Sequence, residues 1–136
     1  MDEYLVNRVL TASPQQLHLM VVEGCLRHAR AAAAAIADSD FERSHFALTD
    51  ARRHLTHLIS GLSPDADDEF LMNLRGLFNF AYLQMTTADL QHDAAALDKA
   101  IEILAEHRNT WLLVIDATAA SGSGPEVSAS GVKLSA

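Results

Sequence analysis

The stretch Ser13–Ala37, SPQQLHLMVVEGCLRHARAAAAAIA, does most to limit the folds open to this chain. Ser13 precedes Pro14, and Gln16 follows three residues after the serine. This is a capping box with proline at the first helical position, so a helix start is written into the sequence. No breaker intervenes before Ala37, and the closing alanine run has high helix propensity. Around this helix Gln16, Glu23, Arg27 and Arg30 fall on one narrow strip, while most of the remaining circumference is Leu, Met, Val, Cys or Ala. A surface helix needs only one apolar stripe, so a small protein has to have a reason for more.

Three further helices follow. The segment DSDF ends the first, and Ser39 with Glu42 offers a second capping box for a helix reaching about Leu62. In SGLSPDADDE the acidic cluster Asp65, Asp67, Asp68 and Glu69 sits where a helix N-terminus favours negative charge, and predicts a third helix to Gln91. Asp93 then caps a fourth that runs to about Ala117. Short loops between long helices make neighbours antiparallel, so the predicted fold is all-α: an antiparallel up-down four-helix bundle. Residues 1–12 form a short N-terminal arm or helix, 13–117 the bundle, and the Gly/Ser-rich 118–136 a flexible tail expected to be disordered. Composition agrees, because 136 residues make about one domain and 49% are hydrophobic but only 6% aromatic, which favours helices over a β-sandwich.

The net charge of −8 argues against nucleic acid and anionic membrane surfaces, whose phosphates are neutralised by Lys and Arg. No apolar run approaches the ~20 residues that insert across a membrane, and the opening MDEYLVNR does not read as a signal peptide. A cytoplasmic location is expected, in keeping with the lone cysteine, Cys25. Glu42-x-x-His45 and the near match Asp89-x-x-His92 have the spacing of a di-metal bundle and fall at the same end, but the supporting carboxylates of the other two helices are missing. Asp65-x-Asp67-x-Glu69 resembles a calcium loop with Phe70 where glycine is required. No nucleophile arrangement or phosphate loop is visible. The expectation is therefore no metal, no cofactor and no enzyme.

What is left is surplus apolar surface. The second long helix is ordinary, with Leu48, Ala51, Leu55, Leu58, Ile59 and Leu62 inward and Arg43, Asp50, Arg53 and His57 opposite. The third carries a core stripe of Phe70, Leu74, Leu77, Phe78, Ala81 and Met85, and a second stripe of Met72, Gly76, Phe80, Leu83 and Leu90 roughly opposite it. The arm, the tail or a second copy in a homodimer can cover such a surface. An amphipathic helix of a partner, anchored at i, i+3, i+4 and i+7, can do so equally. Gly24 and Gly76 lie within helices, where each costs up to ~1 kcal/mol relative to alanine; each is either tolerated there or leaves room for another helix.

The opening residues Tyr4-x-x-Asn7-x-Val9-x-Thr11-Ala12-Ser13-Pro14, followed by QQLHLMVVEGCL, resemble the start of the FliS family of flagellar secretion chaperones. LAEHRNTW (Leu104–Trp111) is similar to the family's L-x-x-L-R-x-T-W, and MNLRGLFNFAYLQMTTADL loosely follows its N-L-x-x-L-x-x-[YF] pattern. The chain departs from the pattern at Val22, Cys25 and Gln84–Met85. The resemblance implies a cytoplasmic export chaperone that binds the C-terminal segment of flagellin, prevents premature polymerisation and assists delivery to the export machinery, with other flagellar export or regulatory proteins as further partners. On that basis the expected contact residues are Met72, Phe80, Leu83 and Leu90, with a contribution from Leu19 and Leu26, and with Tyr4, Leu5 and Leu10 of the arm shielding part of the groove beforehand. A helical adaptor for a different partner, self-associating through the same faces, is the alternative.

Overall fold

The computed structural model describes residues 2–62, 68–121, 126–127 and 134–135. Among these residues five helices follow one another: α1 (Glu3–Thr11), α2 (Pro14–Ala37), α3 (Phe41–Ser60), α4 (Glu69–Gln91) and α5 (Ala94–Ser121). The expected arm is thus the helix α1, and the expected bundle helices are α2 to α5.

The caps explain where the helices begin. Ser13 Oγ accepts from the Gln16 N–H at 3.1 Å and Gln16 Oε1 accepts from the Ser13 N–H at 2.9 Å, which completes the reciprocal box. The next cap differs from expectation. Asp40, not Ser39, caps α3, its Oδ1 accepting from the Arg43 N–H at 3.2 Å. Ser39 instead takes a left-handed backbone (φ 55°) that turns the chain back within the short connection. Asp68 caps α4 through the Phe70 N–H at 2.8 Å, and Asp93 Oδ1 accepts from the Ala96 N–H at 3.1 Å at the start of α5. Asp65 and Asp67 lie outside the described residues.

α5 runs on to Ser121, past the expected end at Ala117 and into the segment read as tail. Beyond it β1 (Glu126–Val127) pairs antiparallel with β2 (Leu134–Ser135), Val127 opposite Leu134, and β1 lies against α2. The remaining tail positions lie outside the described residues.

α2 packs against α3 and α5, and α4 packs against the same two helices, so α2 and α4 occupy diagonal corners of the four-helix bundle. The core between them holds Val22, Leu48, Leu55, Leu58, Leu74, Phe78, Met85, Leu97, Leu104 and Trp111. Each such side chain contributes roughly 1.5–3 kcal/mol by leaving water. This layout corrects three expectations. Leu26 is buried, only 1% exposed, because α2 is flanked by α3 on one side and α5 on the other. Phe70 and Leu77 are exposed, and Leu71 and Ala88 take their places in the core. The buried arc of α4 is centred on the line through Leu74, Phe78 and Met85, which leaves Phe70 and Leu77 at its rim towards α5.

Candidate functional site

α4 is apolar on two opposite sides. Leu71, Leu74, Phe78, Ala81, Met85 and Ala88 point inward. Met72 (59% exposed), Phe80 (44%), Leu83 (63%) and Leu90 (77%) point outward. Burial alone does not decide which side of such a helix faces the core. A polar flank does: Asp89 accepts from Arg52 of α3 at 2.6 Å, both side chains largely buried, and the other arm of the same guanidinium donates to Thr86 at 3.4 Å.

Grooves border the outward stripe on both sides. Towards α5, Phe70, Asn73, Leu74 and Leu77 face Ile103, Glu106, His107 and Thr110 across a groove of about 240 Å³. Towards α3, Thr56, Ile59, Ser60, Asn79 and Tyr82 line a shallower one of about 270 Å³. Gly76 lies within the outward stripe, and a methyl group there would meet nothing within 4 Å.

His107 joins the first groove to the core. Its Nε2 lies 2.8 Å from Nε2 of His18 on α2, and both rings pack with Phe78 and Trp111. Burial, with the positive charge of His107 second, pushes His18 down to about 3; burial alone holds His107 at about 4. Both are therefore neutral at pH 7, and one donates to the other. Nδ1 of His18 is sealed without a partner. An unpaired lone pair costs less than an unpaired N–H, so His18 donates from Nε2 and His107 carries its proton on Nδ1. Trp111 Nε1 completes the joint by donating to the Gln15 carbonyl at 3.0 Å.

The other sequence-predicted residues lie elsewhere. Leu19 is partly buried at the root of α1, beside Arg8, Met20 and Ile115. Because α2 is diagonal to α4, neither Leu19 nor the buried Leu26 extends the outward stripe. Tyr4, Leu5 and Leu10 are exposed on α1, which buries no side chain at all. The Glu42-x-x-His45 and Asp89-x-x-His92 motifs do lie at one end of the bundle, as the antiparallel order predicted. His45 Nδ1 sits 2.9 Å from Asp89, but on the outside, with Asp89 already held by Arg52. His92 stacks on Phe41 at 3.7 Å. Among the described residues no group of three or more His, Cys, Asp or Glu is placed to hold a metal ion. Cys25 is buried, its thiol pushed up to about 12 by desolvation, so it offers no thiolate.

The described surface therefore carries an apolar stripe left in water and bordered by two grooves. A family model described as Flagellar protein FliS matches residues 1–118. The chain belongs to the FliS family. A relative from Bacillus subtilis (strain 168), named Flagellar secretion chaperone FliS, is 29% identical over 108 residues, which is 79% of this chain and 80% of the relative. No described helix of this FliS-family protein is long and apolar enough to cross a membrane.

Sequence reasoning missed the groove beside the outward stripe. It assigned Phe70 and Leu77 to the core, whereas both line one surface with Ile103 of α5. The period of Phe70, Leu74 and Leu77 is that of a core stripe whether or not the neighbouring helix covers it. Phe46 (60% exposed) and Leu113 (70% exposed) were missed as well, as isolated apolar positions on α3 and α5.

Proposed function

We propose that this FliS-family protein is a cytoplasmic flagellar export chaperone that holds the C-terminal segment of flagellin as an amphipathic helix along α4. The observation that carries this reading is the outward stripe of Met72, Phe80, Leu83 and Leu90, left in water on the side opposite the core and bordered by grooves. Large exposed apolar stripes mark interaction sites. An amphipathic guest helix lays its own anchors, at i, i+3, i+4 and i+7, into an apolar groove of this kind. The name of the Bacillus subtilis relative supports secretion as the context.

Ordering a disordered guest costs about 2–5 kcal/mol or more of the gross interaction, so one stripe has to be supplemented by further burial. Phe70, Leu77 and Ile103 in the α4–α5 groove supply it, and Tyr4, Leu5 and Leu10, exposed on α1, with Leu19 near its root, offer further apolar contact to the guest chain. Leu26, being core, has no part in contact. Binding of this kind needs no nucleotide and no catalytic step.

Leu83→Glu tests the reading. Calorimetric titration of the flagellin C-terminal peptide should show binding with a gain in helix and a negative heat-capacity change for the parent. The variant should bind roughly tenfold or more weakly, the scale of losing one well-placed apolar anchor, while keeping its helicity and melting temperature. Equal binding by parent and variant refutes the stripe as the contact face. Absence of binding by the parent, together with a concentration-dependent dimer by ultracentrifugation, supports the self-associating adaptor instead.

A further inference from the structure

The chain has 10 Lys and Arg against 18 Asp and Glu, yet four of its cations line one open depression where α1, α2 and α5 meet. Arg8 comes from α1, Arg27 and Arg30 from α2, and Arg108 from α5, with Asn109, Leu26 and Ala105 completing the wall together with Glu23. Glu23 is the one carboxylate among these lining residues, and it is engaged: its Oε2 accepts from Arg108 at 3.1 Å and 3.0 Å. Among the described residues Arg8, Arg27 and Arg30 form no ion pair. The depression encloses about 600 Å³, within the range of small-ligand sites.

Folding does not require this convergence. Arg8, Arg27 and Arg30 are exposed side chains, and gathering like charge from two helices at one place opposes the compact state. We propose that the depression binds a small polyvalent oxyanion of the pyrophosphate class, and that the bound anion, through Arg8, fastens α1 to the bundle. Guanidinium groups pair with phosphate oxygens two at a time in a fixed fork. Three uncommitted guanidiniums from two helices match a ligand with several such oxygens better than one lone carboxylate. The wall holds no aromatic ring on which a nucleobase could stack and only two apolar residues, so the phosphate groups themselves are what it recognises. The lever on α1 is large because that helix buries no side chain and its Arg8 lies in the last turn, next to the wall. This site is separate from the outward face of α4 and does not depend on how that face is used.

The test titrates sodium pyrophosphate into the full chain by calorimetry in about 0.1 M chloride, where non-specific surface attraction is screened. Hydrogen exchange of the α1 amides is followed alongside. Saturable binding is expected, with slowed exchange across Glu3–Thr11. Arg27→Gln with Arg30→Gln should weaken binding roughly tenfold or more per guanidinium removed, while Arg53→Gln on α3 leaves it unchanged. Arg8→Gln should still bind but lose the protection of α1. Orthophosphate and a polyglutamate peptide are the comparison ligands. No saturation at millimolar pyrophosphate, or equal binding by the double variant, overturns the site. Tighter binding of polyglutamate overturns the ligand class in favour of an acidic protein segment. Protection of α1 that survives Arg8→Gln overturns the link to the arm.

Discussion

A methyl group added at Gly24 would sit 2.8 Å from Nε2 of His54 and 2.9 Å from its Cδ2, whereas one added at Gly76 would meet nothing within 4 Å. The His54 ring has little freedom to swing away, since its Nδ1 donates to the Asp50 carbonyl at 2.9 Å. Gly76→Ala should therefore stabilise the protein by roughly 0.5–1 kcal/mol, the helix-propensity difference alone. Gly24→Ala should give no gain or a loss, and the gain should return when His54→Ala is added; urea denaturation of the four proteins measures all of this. The sequence marks both glycines as unusual but leaves simple tolerance and close approach of another helix as equal readings. At Gly24 the approach is made by one imidazole from α3, which no spacing rule within α2 reveals. Individual residues were otherwise readable where chemistry is local, as with Ser13 and Gln16. They were misread where a neighbour decides, as with Ser39, displaced as a cap by the aspartate after it.

At the level of helices, α5 is joined to α2 by the His18–His107 pair and the Trp111 bond to the start of α2. Each imidazole titrates near 6.5 in the unfolded chain and at about 3 or about 4 in the folded one. Between those values the unfolded state binds more protons, so the stability contributed is complete above about pH 6.5 and is lost as the pH falls towards 4. Charged groups near the joint do not offset this: Glu106 lines the groove beside His107, while Glu23 and Arg108 on α2 and α5 neutralise one another. Lowering the pH from 7.5 to 5 should cost on the order of 2 kcal/mol per imidazole. The His18→Leu, His107→Leu double variant should show a shallower fall when melting is followed by circular dichroism across that range. A parent whose stability is flat over the same range contradicts the buried, neutral pair. Helix order, antiparallel sense and most helix starts were legible because caps and short loops are local signals, whereas the end of α5 at Ser121 was not. The joint was not, since the two histidines lie far apart in sequence and only the packing of α2 on α5 unites them.

For the molecule as a whole, the diagonal placement of α2 and α4 is what separates the sequence-expected contact set into parts. Periodicity showed correctly that α4 has an outward stripe, but it had no means of locating that stripe relative to Leu19 and Leu26, because the cyclic order of four helices is not a property of any one of them. The same order puts Cys25 at the centre, where its thiol donates to the Ala51 carbonyl at 3.3 Å. A disulfide reagent at pH 8 should thus label the native protein at least about a thousandfold more slowly than the urea-unfolded chain, the protection expected if only global opening exposes the core. Rapid native labelling would mean that α2 and α3 part locally. The outward residues of α4 stand at the other extreme. Met72, Phe80, Leu83 and Leu90 lie on the side of α4 away from the core, so a polar residue at the most exposed of them, Leu83 or Leu90, should leave the protein folded. An oily stripe that adds nothing to the bundle carries a cost in solubility, to be set against the contact proposed for it.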